Sequence, residues 1–244
     1  MTTETNTVWV VAGADTSVRW SQALAAAGYA PEEHPWSAVR APEDAAAPAR
    51  ALNDDEYDLV LFTSPHAAAA LPAGSGKGRR CACVGHRTAD AARRSGFEVA
   101  LLGSAGAEAL SEQILSELPG VKRVLFLRGL EARAVGPDRL AQAGVLVQEV
   151  VAYEMMPHPD FERSLSRAGQ ASVIVLGSPR AVEALAQHAD ALAADVRFVA
   201  PGETTGTAAR RHWPDHVHIA ERPDPEMIVQ AVQAASQERR RTAS

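Results

Sequence analysis

Ser64, Thr88, Arg128, Tyr153, Ser178, Arg180, Thr204 and Thr205 pair a polar, charged or phenolic group with a position where the chain would turn. Ser64 and Ser178 head one pattern, S-P-x-A-x-x-A-L, in FTSPHAAAAL (62–71) and LGSPRAVEAL (176–185). Serine before proline is an N-cap followed by a first-turn residue, so each opens a helix directly after an apolar run. Thr88 lies in CVGHRTADAARR and Thr205 in VAPGETTGTAARR, where a glycine turn again leads into a helix. The first turn of a helix has unpaired N–H groups and the positive end of the dipole, which suits it to anions such as carboxylates. Arg128, in LRG, and Arg180 would add charge at two of these turns. Each serine and threonine also reads as a plain cap with nothing bound.

Other chemistries lack their residues. There is no phosphate-binding lysine loop, no G-x-S-x-G elbow and no H-E-x-x-H. Cys81 and Cys83, the only cysteines, have strand spacing and no ligand-forming neighbours, so they read as buried free thiols of a reducing compartment. His66 and His86 sit at candidate turns. His212, His216 and His218 cluster without an evident acidic partner and read as surface residues. No cofactor or metal is expected.

The elements that would position these residues alternate as strand, turn and helix, which calls for parallel sheets flanked by helices. The run DLVLFT (58–63) is apolar without alternation, as in a strand buried on both faces. In such sheets ligands bind beyond the carboxyl ends of the strands, where all the turns above fall. The paired motifs recur in order. Ser178 follows Ser64 by 114 positions, and Gly202 follows Gly85 by 117, which points to an internal duplication. The second copy is one strand short unless the N-terminal strand and helix complete it. We therefore expect a discontinuous α/β domain of residues 1–30 with 160–244, and an inserted α/β domain of 40–148. Residues 31–39 and 149–159 would be crossing strands, able to pair as an antiparallel ladder. If the sheets faced each other across that ladder, the turns would line one cleft suited to a polycarboxylate.

The 244 residues are 46% hydrophobic and 22% charged with a net charge of −6, the profile of a globular protein that is not a general nucleic-acid binder. The first residues, MTTETNTV, have neither a basic nor an apolar segment of a signal peptide, and no run spans a membrane. A cytoplasmic monomer is expected.

Taken in order, FTSP, VGHRTA, LRG, VAYE, the second Ser-Pro turn and GETT resemble the uroporphyrinogen-III synthase family across nearly the whole chain. That resemblance implies two flavodoxin-like parallel-sheet domains joined by a two-stranded antiparallel linker. It implies a cofactor-independent hydro-lyase of heme biosynthesis, working on the linear tetrapyrrole hydroxymethylbilane, an octacarboxylate, supplied by the preceding hydroxymethylbilane synthase. Loss of the hydroxyl gives an azafulvene, the fourth ring attacks through its substituted carbon, and a spiro intermediate closes with ring D inverted. The resemblance assigns Tyr153 to assisting hydroxyl departure; an amphipathic tyrosine at a domain junction is the alternative. It places substrate carboxylates at Ser64, Thr88, Ser178 and Thr205, with Thr204 beside them. Two departures stand out. The first strand ends in Ala12-Gly13-Ala14-Asp15 where the family commonly has Thr-Arg-Pro, and the last turn is Pro223-Asp224-Pro225 where it has Pro-Thr-Pro. Both make the site less welcoming to carboxylates and leave room for another reading, a non-catalytic or redirected paralogue that binds a different ligand.

Overall fold

The computed structural model describes residues 7–53, 57–131, 135–165 and 171–242. The chain divides into two compact units, Met1–Ala38 with Pro157–Ser244, and Val39–Met156. Each is an α/β lobe with its own sheet and its own core.

The first lobe carries five strands: β1 (Thr7–Val11), β2 (Ala30–Glu33), β9 (Val173–Leu176), β10 (Arg197–Ala200) and β11 (Val217–Ile219). Their order is β11-β10-β9-β1-β2, and every pair is parallel. Trp9, Val11, Ile174, Leu176 and Phe198 pack on one face of the sheet. The helices there are α8 (Pro179–Ala186) and α9 (Glu203–His212). Val8, Val10, Val173, Val175 and Val199 pack on the other face, against α1 (Ala14–Ala26) and α10 (Pro225–Thr242). Two-sided burial is what the unbroken apolar strands dictate.

The second sheet contains β3 (Ser37–Arg40), β8 (Leu146–Pro157), β7 (Arg123–Gly129), β4 (Leu59–Phe62), β5 (Arg80–Val84) and β6 (Glu98–Gly103), hydrogen-bonded in that order. The pairs from β8 to β6 are parallel. Val60, Phe62, Cys81, Cys83, Leu125 and Leu127 fill one face, beneath α3 (Pro65–Ala69) and α4 (His86–Arg94). Leu59, Leu61, Val124 and Phe126 fill the other, against α5 (Ala107–Glu117) and α6 (Val135–Gln142). Two shorter helices, α2 (Ala47–Asn53) and α7 (Phe161–Ser164), belong to the second and the first lobe respectively.

From its central strand outward, the first sheet runs β9-β10-β11 one way and β9-β1-β2 the other. The second runs β4-β5-β6 and β4-β7-β8. The lobes are therefore circular permutants of one strand order, with the chain entering each at a different point. The registers agree residue by residue: Thr7 faces Ala30 as Arg123 faces Leu146, Val10 faces Glu33 as Phe126 faces Glu149, and Gly13 bridges Ser37 as Gly129 pairs with Tyr153. A third duplicated block, β1-β2 against β7-β8, thus joins the two blocks seen in the sequence.

Some segments differ from expectation. Residues 31–39 do not form one linker strand: Ala30–Glu33 is the edge strand of the first sheet, and Ser37–Arg40 passes to the second beside β8. Pro31 is tolerated because an edge strand leaves one side of its backbone unpaired. The segment expected to cross from 149 belongs to the single twelve-residue strand β8. The last helix runs on to Thr242, since Arg197 donates to Thr242 Oγ1 at 3.2 Å and Arg239 pairs with Asp195 at 2.8 Å. The clustered histidines do have partners, brought from far along the chain: His212 meets Glu183 at 3.3 Å and His218 meets Glu238 at 3.1 Å.

Candidate functional site

The second lobe gathers its chemistry at the carboxyl ends of β4 and β7 and on the part of β8 that lies beside the end of β7. Tyr153 is half-buried on β8, opposite Gly129 at a register shift of the ladder. Its ring lies over that glycine: a Cβ placed on Gly129 would fall 2.8 Å from Tyr153 Cζ and 2.9 Å from its phenol oxygen. The ring of His66, at the start of α3, is 5.4 Å away centre to centre and tilted by 59°. The next residue on β8, Glu154, turns the other way and takes an ion pair from Arg40 of β3 at 2.6 Å. Period-two alternation therefore splits the V-A-Y-E segment into a phenol on one face and a strand-fixing carboxylate on the other.

Ser64 accepts a hydrogen bond from the backbone N–H of His66 at 3.3 Å. In the other lobe Ser178 accepts from Ala181 N–H at 3.2 Å. Both hydroxyls are spent as caps, which leaves further first-turn N–H groups as the donors. Thr88 and Thr205 are equivalent residues, 3% and 5% exposed. Both side chains are packed inward at the first turn of α4 and α9, so their contribution is limited to shaping that turn and its backbone. Thr204 and Arg180 are exposed.

Arg128 is held within its own lobe. Its Nε stands 2.6 Å from Glu149 Oε2, an ion-pair contact without hydrogen-bond alignment, and its Nη1 donates to the carbonyls of Gly129 and Leu130 at 3.0 and 2.9 Å. It braces the turn that carries Gly129. The structure brings together Ser64, Arg128 and Tyr153 in one lobe, and Ser178, Arg180, Thr204 and Thr205 in the other. Thr88 shares the lobe of Tyr153, in the first turn of α4 after β5, which lies beyond β7 and β4 from β8.

The two acidic departures have structural uses. Asp224 accepts from Met227 N–H at 3.1 Å and meets Arg222 Nε at 3.1 Å. The Met227 bond, followed by Arg222, holds its carboxyl below the usual carboxylate range. Its charge caps α10 and is matched by a guanidinium. Asp15 lies in the first turn of α1, where the dipole favours an acid.

Among the described residues, no three His, Cys, Asp or Glu side chains come together as a metal site. Cys81 and Cys83 are buried and free, with sulfurs 3.6 Å apart. The contact with Cys81, and then burial, push the Cys83 thiol up, which makes it a poor nucleophile or ligand. No helix of the described residues is long and apolar enough to cross a membrane.

The pairing of His66 with Tyr153 escaped the sequence reading, as did the fit of Tyr153 over Gly129. The one available hint was that His66 follows the first Ser-Pro where Arg180 follows the second.

Comparison with known proteins identifies the family and the fold. The family model described as Uroporphyrinogen-III synthase HemD matches residues 18–230. The chain belongs to the uroporphyrinogen-III synthase family. Among solved structures, it is similar to the uroporphyrinogen-III synthetase of Helicobacter pylori, with 16% identity, 94% of this chain and 98% of that chain covered, and a TM-score of 0.60. A mutant uroporphyrinogen III synthase of Thermus thermophilus matches at 20% identity over 95% of this chain and 99% of that one, with a TM-score of 0.57. At these identities the structural matches establish the fold, two flavodoxin-like parallel-sheet domains. The family match carries the link to heme biosynthesis.

Proposed function

We propose that this chain is a uroporphyrinogen-III synthase, which closes hydroxymethylbilane with loss of water and inversion of ring D. The observation that supports the reading most is the placement of Tyr153 at the carboxyl end of its sheet, with its phenol over Gly129, in a chain of this family.

In this reading the phenol gives its proton to the departing hydroxyl, the carbon–oxygen bond breaks and water leaves. The resulting azafulvene cation is attacked by the substituted carbon of ring D. Rearrangement through the spiro intermediate completes the inverted ring, and the proton released on restoring the pyrroles returns to the phenolate. Proton donation of this kind contributes roughly a hundredfold to ten-thousandfold in rate. Holding ring D so that its substituted carbon attacks is a matter of orientation, which catalyses by making a near-attack geometry the usual one.

The substrate carboxylates are assigned to the turns at Ser64, Thr88, Ser178 and Thr204-Thr205, chiefly to first-turn N–H groups, with Arg180 as an exposed cation. Each charge-assisted bond contributes roughly 1.5–3 kcal/mol. Several such bonds fix an octacarboxylate without one dominant anchor. Because Asp224 is occupied as a cap and matched by Arg222, it does not oppose this use. The test is a coupled assay that generates the linear tetrapyrrole in situ and separates the product isomers by chromatography. The inverted isomer is expected. The uninverted isomer alone, at the rate of a blank, would leave a redirected paralogue as the better description.

A further inference from the structure

We infer that Gly129 and His66 form a seat that fixes the phenol of Tyr153, and that both are positioning residues for the ring closure. The inference rests on the role proposed for Tyr153.

Gly129 ends β7, is buried and pairs within a parallel ladder. Its backbone is not in the left-handed region, so conformation does not require glycine there. Glycine within a strand is otherwise a cost and marks close approach of another group. Here that group is the phenol. The Cβ of any other residue would lie 2.8 Å from Cζ, 2.9 Å from the phenol oxygen and 3.1 Å from Cε2. The atoms displaced would be the reactive end of the side chain.

The molecule contains its own control. Gly13 occupies the equivalent place in the other lobe and bridges Ser37 where Gly129 meets Tyr153. A Cβ on Gly13 would meet nothing within 4 Å. The fold alone therefore leaves room for a side chain at this position, and the space is closed only where the phenol occupies it.

His66 bounds the phenol from a second direction. The ring separation of 5.4 Å and tilt of 59° are those of an attractive aromatic contact. The start of α3 is set by Ser64, whose hydroxyl accepts from the His66 N–H. The equivalent residue in the other lobe is the exposed Arg180, and the position matching Tyr153 there is Ser37. The aromatic ring is present in the lobe that has a phenol to hold. We assign His66 its role through ring shape, so an aromatic replacement should preserve it.

Two measurements on the full-length chain test this. In steady-state assays with hydroxymethylbilane, His66→Ala and Gly129→Ala should each lower kcat by roughly tenfold to a hundredfold, the scale of an ångström-level misplacement, with KM little changed. His66→Phe should restore most of the kcat, and His66→Ala should cost nothing further in a Tyr153→Phe background. Independently of activity, the ring resonances of Tyr153 are assignable by difference, since the chain has only three tyrosines. They should be displaced in native protein and in His66→Phe, and collapse toward free-tyrosine positions in His66→Ala. Native-like Tyr153 resonances in His66→Ala, or an equal kcat loss whether residue 153 is Tyr or Phe, would overturn the seat. Full turnover by Tyr153→Phe would overturn the role of Tyr153, while the resonances would still decide whether the seat exists.

Discussion

Tyr153 and Ser37 stand at matching points of two like frames, and only one of them brings a phenol. We expect Tyr153→Phe to lower kcat by roughly a hundredfold or more, the contribution of a general acid, with KM nearly unchanged because the ring and its packing remain. Steady-state kinetics decides this, and native turnover would contradict it. Asp58 carries a structural prediction. Its carboxylate accepts two backbone N–H groups, of Lys122 and Arg123, each at 2.8 Å. Those bonds hold its carboxyl below the usual range. A carboxyl depressed on folding stabilises above its unfolded value of about 3.9, and that contribution is lost as pH falls through the folded value. Asp58→Asn should therefore melt lower than native at neutral pH, with the gap closing as pH falls below the usual carboxylate range and through the depressed folded value. A gap independent of pH would contradict this. At this scale the sequence was partly legible. The capping serines and Tyr153 are announced by local motifs. The seat is not, because it joins position 66 of α3, position 129 at the end of β7 and position 153 within β8, and no local spacing encodes that meeting.

Among the elements, the strand ends differ in how much room they leave. Gly177 closes β9 beside β1, where a Cβ would lie 2.5 Å from Ala12 Cβ and 2.9 Å from Ala12 Cα. Backbone cannot yield as a flexible side chain does. Gly177→Ala should cost about 1–3 kcal/mol, typical of overpacking, read as a lower urea midpoint. Gly13→Ala, with open space and φ of −67°, should be nearly neutral, and equal effects of the two would contradict the account. The strands and most helices were legible because unbroken apolar runs and Ser-Pro caps mark them. β2 was missed because Pro31 argues against a strand unless the strand lies at an edge, and being at an edge is a property of the sheet. The extent of α10 was missed because the partners of its last turn, Arg197 and Asp195, lie more than forty residues away in the sequence.

At the scale of the whole molecule, permutation explains why only part of the repeat was visible. The Ser-Pro and glycine-turn blocks recur in chain order. The third block, TVWVVAG against RVLFLRG, precedes its partners in one lobe and follows them in the other, so reading forward from the Ser-Pro motif never reaches it. Each lobe closes a two-faced core of its own residues. A fragment spanning 39–156 should therefore fold alone and unfold cooperatively on heating, and a fragment without a thermal transition would contradict that independence. Above these expectations stands the claim that this chain directs a reactive linear tetrapyrrole to the inverted ring. The most direct measurement is the isomer ratio of the cyclised product at increasing concentrations of the chain, with the linear substrate generated at a constant rate. The account predicts that the inverted isomer rises to dominate and the uninverted one falls away; a ratio that stays at the blank value at every concentration would contradict it.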